Sequence, residues 1–378
     1  MVDLYGQYLK IQNEINLSIQ SVINSSSFIQ GPSVSEFKIS LQNFLNIKHV
    51  IPCANGTDAL QIALMCLNLE KGAEIIIPSF SFAAPAEVVS LLGYTPVFAE
   101  VDASTFNITS SIIEKLINPR TRAIIAVHLF GQPVAMEEIV DLAKKYNLYL
   151  IEDNAQSLGA NCTIGNVNKM TGTIGDIGTT SFFPSKNLGC MGDGGALFTN
   201  NDLFAERAGM IANHGQKQKY EHELIGINSR LDTLQAAILN VKLKKLAEYN
   251  QARKNAAATL DYFFKNNVLL EVPKKNDHTD HVYNQYTIKV SKDIRDPLKK
   301  YLADAGIPTM VYYPKPLHLQ NVFKYLTYQI GDLPVTESLC NQVISLPMHT
   351  ELDNDQLEFI GNTVVTGLEI FNNKKVLL

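Results

Sequence analysis

Nowhere do the 378 residues hold an apolar run long enough to cross a bilayer. The N-terminus, MVDLYGQYLKIQNEI, is polar and amphipathic and lacks the apolar core of a secretory signal. A cytoplasmic protein with no membrane partner is the expectation. Positive charge is not in excess either. Lys and Arg number 32 against 37 Asp and Glu, giving a net charge of −5, which argues against a nucleic-acid partner. The five cysteines, Cys53, Cys66, Cys162, Cys190 and Cys340, are odd in number and show no C-x-x-C spacing, so reduced thiols are expected. Cys190 reads as a small packing residue rather than a nucleophile. His128, His214 and His222 form no metal-like cluster, so no metal is expected and core or flap roles suit them better. The glycine-rich GCMGDGG (189–195) lacks G-x-G-x-x-G spacing before a helix, which excludes a dinucleotide-binding reading.

What is present is ordinary globular composition, 46% hydrophobic and 18% charged, in a chain long enough for a large and a smaller domain. Between about residues 50 and 200, helical and strand patterns alternate. Helices are expected at 57–69, 83–92, 109–117 and 135–146, and strands at 74–78, 96–101, 122–130 and 148–155. Continuous apolar strands separated by helices predict an α/β fold with a mainly parallel sheet covered on both faces. Ligands in such sheets gather at the carboxyl ends of the strands. Residues 231–263 read as one long amphipathic helical stretch leading to a smaller C-terminal α+β domain. The expected division is 1–250 and 251–378. In the second part, 285–290 and 309–313 read as strands and 353–372 as a closing helix. The polar loop from His214 to Ile227 is a candidate mobile flap.

Four short stretches carry chemistry. In SFFPSKNLGCMGDGGALFTN (181–200), Lys186 follows a short buried strand at Ser181–Phe183 and precedes glycines that let the backbone approach a ligand. A lysine carried out of the core on such a stem is suited to Schiff-base chemistry. In CANGTDAL (53–60), Asn55-Gly56-Thr57 opens a helix whose free amides and dipole favour a phosphate, although a plain N-cap explains the same residues. In IEDNAQS (151–157), Asp153 ends a strand, where it is either a loop cap or the carboxylate that keeps a pyridine nitrogen protonated. Gln156 is placed to meet the same ring. In GINSRLD (226–232), an amide and a guanidinium precede a helix, fit for a phosphate, a carboxylate or a surface salt bridge. A helix-end phosphate site, a strand-end aspartate and a loop lysine together fit pyridoxal 5'-phosphate.

These stretches, joined by IIPSFSFAAPAEVV, AVHLFGQP, ANHGQ, VYYPKPLHLQ and SLPMH, resemble in order and spacing the DegT/DnrJ/StrS family of pyridoxal-phosphate-dependent nucleotide-sugar aminotransferases. The resemblance covers nearly the whole chain. It implies the fold type I, aspartate-aminotransferase-like architecture and a homodimer with shared active sites. It makes Lys186 the lysine that binds the cofactor covalently and shuttles the proton, and Asp153 the partner of the pyridine nitrogen. By the same resemblance Gln156 bonds the ring oxygen, Gly56, Thr57 and Ser181 bind the phosphate, and Phe82 stacks on the ring. Asn228 reaches the phosphate in the neighbouring subunit. Glutamate is the implied amino donor and a nucleotide-linked keto-sugar the acceptor.

The motifs look most like a branch acting on UDP-2-acetamido-2-deoxy-3-keto-glucuronate in surface (lipopolysaccharide) polysaccharide biosynthesis. There Arg230 holds the sugar carboxylate, and Ser185, Phe28, Tyr312 and Tyr313 line the substrate. Two residues depart from that branch: Tyr312 stands where it carries histidine, and Phe28 where it carries tyrosine. Arg230 also occurs in branches acting on dTDP-3-keto-6-deoxyhexoses, which leaves that substrate class as an alternative. A non-catalytic, cofactor-binding regulatory protein is the further alternative.

Overall fold

The computed structural model describes residues 1–376. Strands β1 (His49–Cys53), β2 (Glu74–Pro78), β3 (Thr95–Ala99), β4 (Thr121–Val127) and β5 (Tyr149–Asp153) come first in the chain. A hairpin of β6 (Asn161–Ile164) and β7 (Val167–Met170) follows, and then β8 (Ile177–Ser181) and β9 (Gly195–Thr199). All but the hairpin join one seven-stranded sheet in the order β1-β9-β8-β5-β4-β2-β3. The pairs β2–β3, β2–β4, β4–β5 and β5–β8 are parallel, and only β9 runs against its neighbours. The apolar runs explain this. Every residue of EIIIP in β2 is buried, as a strand covered on both faces requires.

Helices Gly56–Leu67, Ala84–Leu91 and Met136–Lys145 supply the cover. The expected alternation of elements is present, with boundaries displaced by a few residues, and the fold is the type I architecture. Because the parallel strands end on one side, Cys53, Pro78, Val127, Asp153 and Ser181 all face the same carboxyl edge. The antiparallel β9 begins there, Gly195 lying opposite Cys53 and Ser181.

Two expectations about the second half need correction. The stretch 231–263 is two helices, Thr233–Leu243 and Leu246–Phe264, separated by a tighter turn in which the Lys245 amide donates to the Lys242 carbonyl at 2.9 Å. They serve different cores. Ala236, Leu239 and Leu243 pack with Phe37, Leu41 and Phe198, whereas Ala256, Leu260 and Phe264 pack with Tyr286 and Leu298. One straight helix would not present both faces.

The second correction concerns TMVYY (309–313), which is not a strand. Only Met310 bridges Ser345, after which Val311, Tyr312 and Tyr313 turn onto the core of the large sheet. The expected flap at 214–227 is a small hairpin of β10 (Gln216–Gln218) and β11 (Glu221–His222). The C-terminal region holds an antiparallel sheet of β12 (Leu270–Glu271), β13 (Tyr286–Val290) and β14 (Val343–Leu346), against which the closing helix Asn354–Val376 and helix Lys292–Asp304 build a second core.

Candidate active site

At one end of the carboxyl edge, the start of helix Gly56–Leu67 is pressed between β8 and β9. A Cβ placed on Gly56 would lie 2.6 Å from the Ser181 Cβ, and one on Gly195 would lie 2.4 Å from the Asn55 carbonyl. Asn55 caps the helix by accepting the Asp58 amide at 2.8 Å. The amides of Gly56 and Thr57 then have no acceptor within the helix. Beside them stands the Ser181 hydroxyl, which accepts the Phe183 amide at 3.2 Å and keeps its proton to donate. These three groups form a cup for an anion at a helix N-terminus.

Further along the edge, Asp153 ends β5. Its Oδ1 accepts the Ala155 amide at 3.0 Å, the only hydrogen bond of its carboxylate among the described residues. Burial pushes its pKa above the ordinary carboxylate value, against the pull of that amide and of the Lys186 charge. Lys186 sits in the turn after β8, its amide bonded to the Phe183 carbonyl at 2.9 Å. Its ammonium makes no hydrogen bond or ion pair among the described residues. Burial holds its pKa below the ordinary lysine value, with the Asp153 charge opposing. Two ionisable groups that burial drives toward neutrality, close enough at a strand edge for their charges to interact, are the mark of a reactive site.

Gln156 is held in one orientation. Its Oε1 accepts the Phe130 amide at 2.5 Å and its Nε2 donates to the Tyr313 hydroxyl at 3.3 Å, leaving one N–H to spare. The Tyr313 ring lies 6.4 Å from that of Phe82 and 6.2 Å from that of Phe80, and burial raises its phenol pKa. Phe82 is 58% exposed, an open aromatic face at the mouth of the site.

Pyridoxal phosphate fits these residues. The amide and hydroxyl cup suits its phosphate, the under-bonded Asp153 its ring nitrogen, the spare Gln156 N–H its ring oxygen, and the unpartnered amine its aldehyde.

Three expected residues, Phe28, Asn228 and Arg230, stand apart from that cluster within the chain, and two more, Ser185 and Tyr312, border it. Phe28 is 45% exposed and its carbonyl accepts the Thr233 amide at 3.0 Å. Asn228 is exposed and bridges Asn213 through the backbone. Arg230 donates to Asn213 Oδ1 at 3.3 Å and lines a cleft of about 450 Å³ beside β1 with His49 and Asp202. Ser185, next to the lysine, is held through its carbonyl by Asn284 Nδ2 at 3.4 Å. Tyr312 packs beside Tyr313, ring centres 5.8 Å apart.

Sequence reasoning missed Glu152. Its carboxylate is fully buried and accepts from the His128 ring at 3.0 Å and from the amides of Gly172, Ile174 and Gly175 at 2.7–2.8 Å. An acidic pair at a strand end was the available signal. His128 is, as expected, a core residue. Its Nδ1 accepts the Val134 amide at 3.1 Å, so the proton toward Glu152 is on Nε2.

A fold type I sheet with an aspartate, a lysine and a phosphate cup on its carboxyl edge defines a pyridoxal-phosphate enzyme. Residues 9–365 match the DegT/DnrJ/EryC1/StrS aminotransferase family, and the chain belongs to that family. It is a pyridoxal-phosphate-dependent sugar aminotransferase. It is 42% identical over 362 residues to the pleiotropic regulatory protein of Geobacillus stearothermophilus, covering 95% of this chain and 96% of that one. To the UDP-2-acetamido-2-deoxy-3-oxo-D-glucuronate aminotransferase of Pseudomonas aeruginosa it is 42% identical over 359 residues, with 95% and 97% covered. To the dTDP-3-amino-3,6-dideoxy-alpha-D-galactopyranose transaminase of Aneurinibacillus thermoaerophilus the identity is 38%, with 96% and 98% covered. The crystal structure of S. venezuelae DesV in complex with a ketimine intermediate superposes with a TM-score of 0.93 at 35% identity, covering 97% and 98%.

Proposed function

We propose that the protein aminates UDP-2-acetamido-2-deoxy-3-keto-glucuronate at C3 with glutamate as donor, for a surface polysaccharide, in a cytoplasmic homodimer with shared sites. The observation that carries the uronic-acid reading is Arg230. Its guanidinium has an amide oxygen as partner and no carboxylate among the described residues, so its charge is free for a sugar carboxylate. The likeness to the Pseudomonas enzyme supports the same choice.

When bound, pyridoxal phosphate supplies the electron sink for the transfer. The chain's residues do the rest. Gly56, Thr57 and Ser181 hold the phosphate and Phe82 covers one face of the ring. Asp153 keeps a proton on the ring nitrogen: its buried carboxylate, with one amide partner, gains from a cation beside it. The spare N–H of Gln156 donates to the ring oxygen. Lys186 Nζ, desolvated and unpartnered, would take a proton from the substrate carbon and return it two bonds away, across the nitrogen. Ser185, Tyr312 and Tyr313 face the sugar. Asn228 reaches the phosphate from the partner chain, and Phe28 and Arg230 contact the sugar.

The second reading, a dTDP-3-keto-6-deoxyhexose, is favoured by the Aneurinibacillus relative. The regulatory reading draws on the name of the Geobacillus relative, and turnover of any keto-sugar excludes it. The test is a panel of UDP- and dTDP-linked keto-sugars assayed with glutamate, run on the parent and on Arg230→Ala. A desolvated guanidinium–carboxylate pair is worth a few kcal/mol on truncation, so kcat/KM for the keto-uronate should fall on the order of a hundredfold. A neutral 6-deoxy analogue should be spared. Equal losses on both would remove the uronic-acid assignment.

A further inference from the structure

Three buried asparagines meet beneath the lysine turn. Asn187, immediately after Lys186, donates through Nδ2 to Asn250 Oδ1 at 2.7 Å and to the Val282 carbonyl at 3.1 Å. Its Oδ1 accepts from Asn284 Nδ2 at 2.9 Å, and the same Asn284 nitrogen reaches the Ser185 carbonyl at 3.4 Å. Asn250 Nδ2 in turn donates to the Leu158 carbonyl at 3.0 Å. Asn187, Asn250 and Asn284 are each no more than 5% exposed.

Four parts of the chain are joined by these bonds: the turn carrying Lys186, the turn after Asp153 and Gln156, helix Leu246–Phe264, and the segment that leads into β13. That last segment is itself fixed. The Val282 amide donates to the Gly131 carbonyl at 2.9 Å and the Gln285 amide to the Phe130 carbonyl at 3.3 Å. The Arg253 guanidinium donates to the carbonyls of Tyr283, Asn284 and Met348 at 3.0–3.4 Å. Close approach matters at Gly131, where a Cβ would lie 2.9 Å from the Tyr283 and Asn284 amides. Phe130, whose carbonyl takes part, is the residue whose amide fixes Gln156.

A buried polar network also satisfies its own members, and that alone would give it only a structural role. The placement here goes further. Lys186 has no side-chain partner among the described residues, so its position relative to Asp153 comes from its backbone alone. Asn284 Nδ2 donates to both sequence neighbours of that lysine, the Ser185 carbonyl before it and the Asn187 Oδ1 after it. We propose that Asn284, acting through Asn187 and Asn250, is the positioning group that sets Lys186 against Asp153. This rests on the reading of Lys186 as the cofactor-binding amine. Loosening the turn admits water to Nζ. Since burial outweighs the Asp153 charge in depressing the lysine, the amine should then titrate at higher pH.

The test compares the parent with Asn284→Ala and the milder Asn284→Ser. Before cofactor is added, Lys186 is labelled with acetic anhydride across a pH series and its peptide is quantified by mass spectrometry. After cofactor is added, the pH dependence of its visible absorption is followed. Both midpoints should rise by about one pH unit, and kcat should fall about tenfold. Leu298→Ala, in the C-terminal core, is the control: it lowers thermal stability and should leave both midpoints in place. Unmoved midpoints in the two Asn284 variants would overturn the proposal. A parent in which borohydride fixes the cofactor on a peptide without Lys186 would overturn the underlying reading, and this proposal with it.

Discussion

Gly56→Ala tests the phosphate cup without touching an ionisable group. The new methyl would stand 2.6 Å from the Ser181 Cβ and 3.2 Å from its Oγ. Carbon atoms rest at about 3.5–4.0 Å, so roughly 1 Å must be found. Retreat is blocked, because the Asn55–Gly56 backbone already lies against Gly195, where even a Cβ would come within 2.4 Å. The helix start therefore has to tilt away from Ser181, which spreads the donors. Overpacking of this kind costs about 1–3 kcal/mol of stability. A hydrogen bond to a charged group is worth about 1.5–3 kcal/mol, so losing one should weaken cofactor binding about 10- to 100-fold. Titration of the unloaded protein with pyridoxal phosphate, followed by absorbance, measures this directly. Gly209→Ala is the control: a Cβ there meets nothing within 4 Å, and alanine suits its helix better. Parent-like cofactor affinity in Gly56→Ala would refute the cup.

Asp153→Asn should slow the half-reaction with glutamate about a hundredfold or more while the melting temperature holds, since the lost carboxylate acts on the transition state. Transamination at the parent rate would reduce Asp153 to a loop cap. Asn228→Ala and Lys186→Ala, each inactive or impaired alone, should regain activity when mixed and re-equilibrated, because one site of each heterodimer then carries no substitution; absence of recovery would mean the site is not shared. Lys186 also predicts a pH trend. Its folded pKa lies below the unfolded 10.5, so between the two values the unfolded chain binds more protons and stability rises with pH. Lys186→Met should flatten that rise in chemical-denaturation curves of the unloaded protein, and a slope equal to the parent's would count against a desolvated amine.

The sheet was legible because period and composition decide it: EIIIP, RAIIAV and LYLIED leave no polar face for water, and the chemistry-bearing residues follow directly at the strand ends. The helix start at Gly56 and the lysine turn were legible as local patterns too, the first in the loop between β1 and its helix and the second in the loop between β8 and β9. Long-range placement was not. Nothing in LDTLQAAILNVKLKKLAEYNQARKNAAATLDYF marks the break at Lys244–Lys245, which exists because two cores pull one helical run in different directions. Nor could TMVYY reveal that three of its residues serve the large core rather than β14, since strand propensity is outweighed there by side-chain burial. The asparagine cluster joins positions 187, 250 and 284, and no local pattern connects them.

The acidic pair on β5 shows how one strand serves two purposes. Successive side chains on an extended strand face opposite sides, so Glu152 and Asp153 enter different surroundings. Glu152 meets a ring N–H and three amides, which outweigh its burial and hold its pKa below the ordinary value. It is a fixed charge that anchors the 172–175 turn and His128 to the sheet. Asp153 meets one amide, and its pKa goes the other way. The difference in donors, four against one, is what leaves Asp153 able to gain from a cation placed above it. Glu152→Gln would put an N–H where amides and a ring N–H already point. The His128 backbone donates to the Asp153 carbonyl at 3.1 Å, so that disturbance would reach the very residue whose carboxylate must stay still. On this strand one carboxylate is satisfied completely, which holds the strand in its place, and its neighbour is left short of donors.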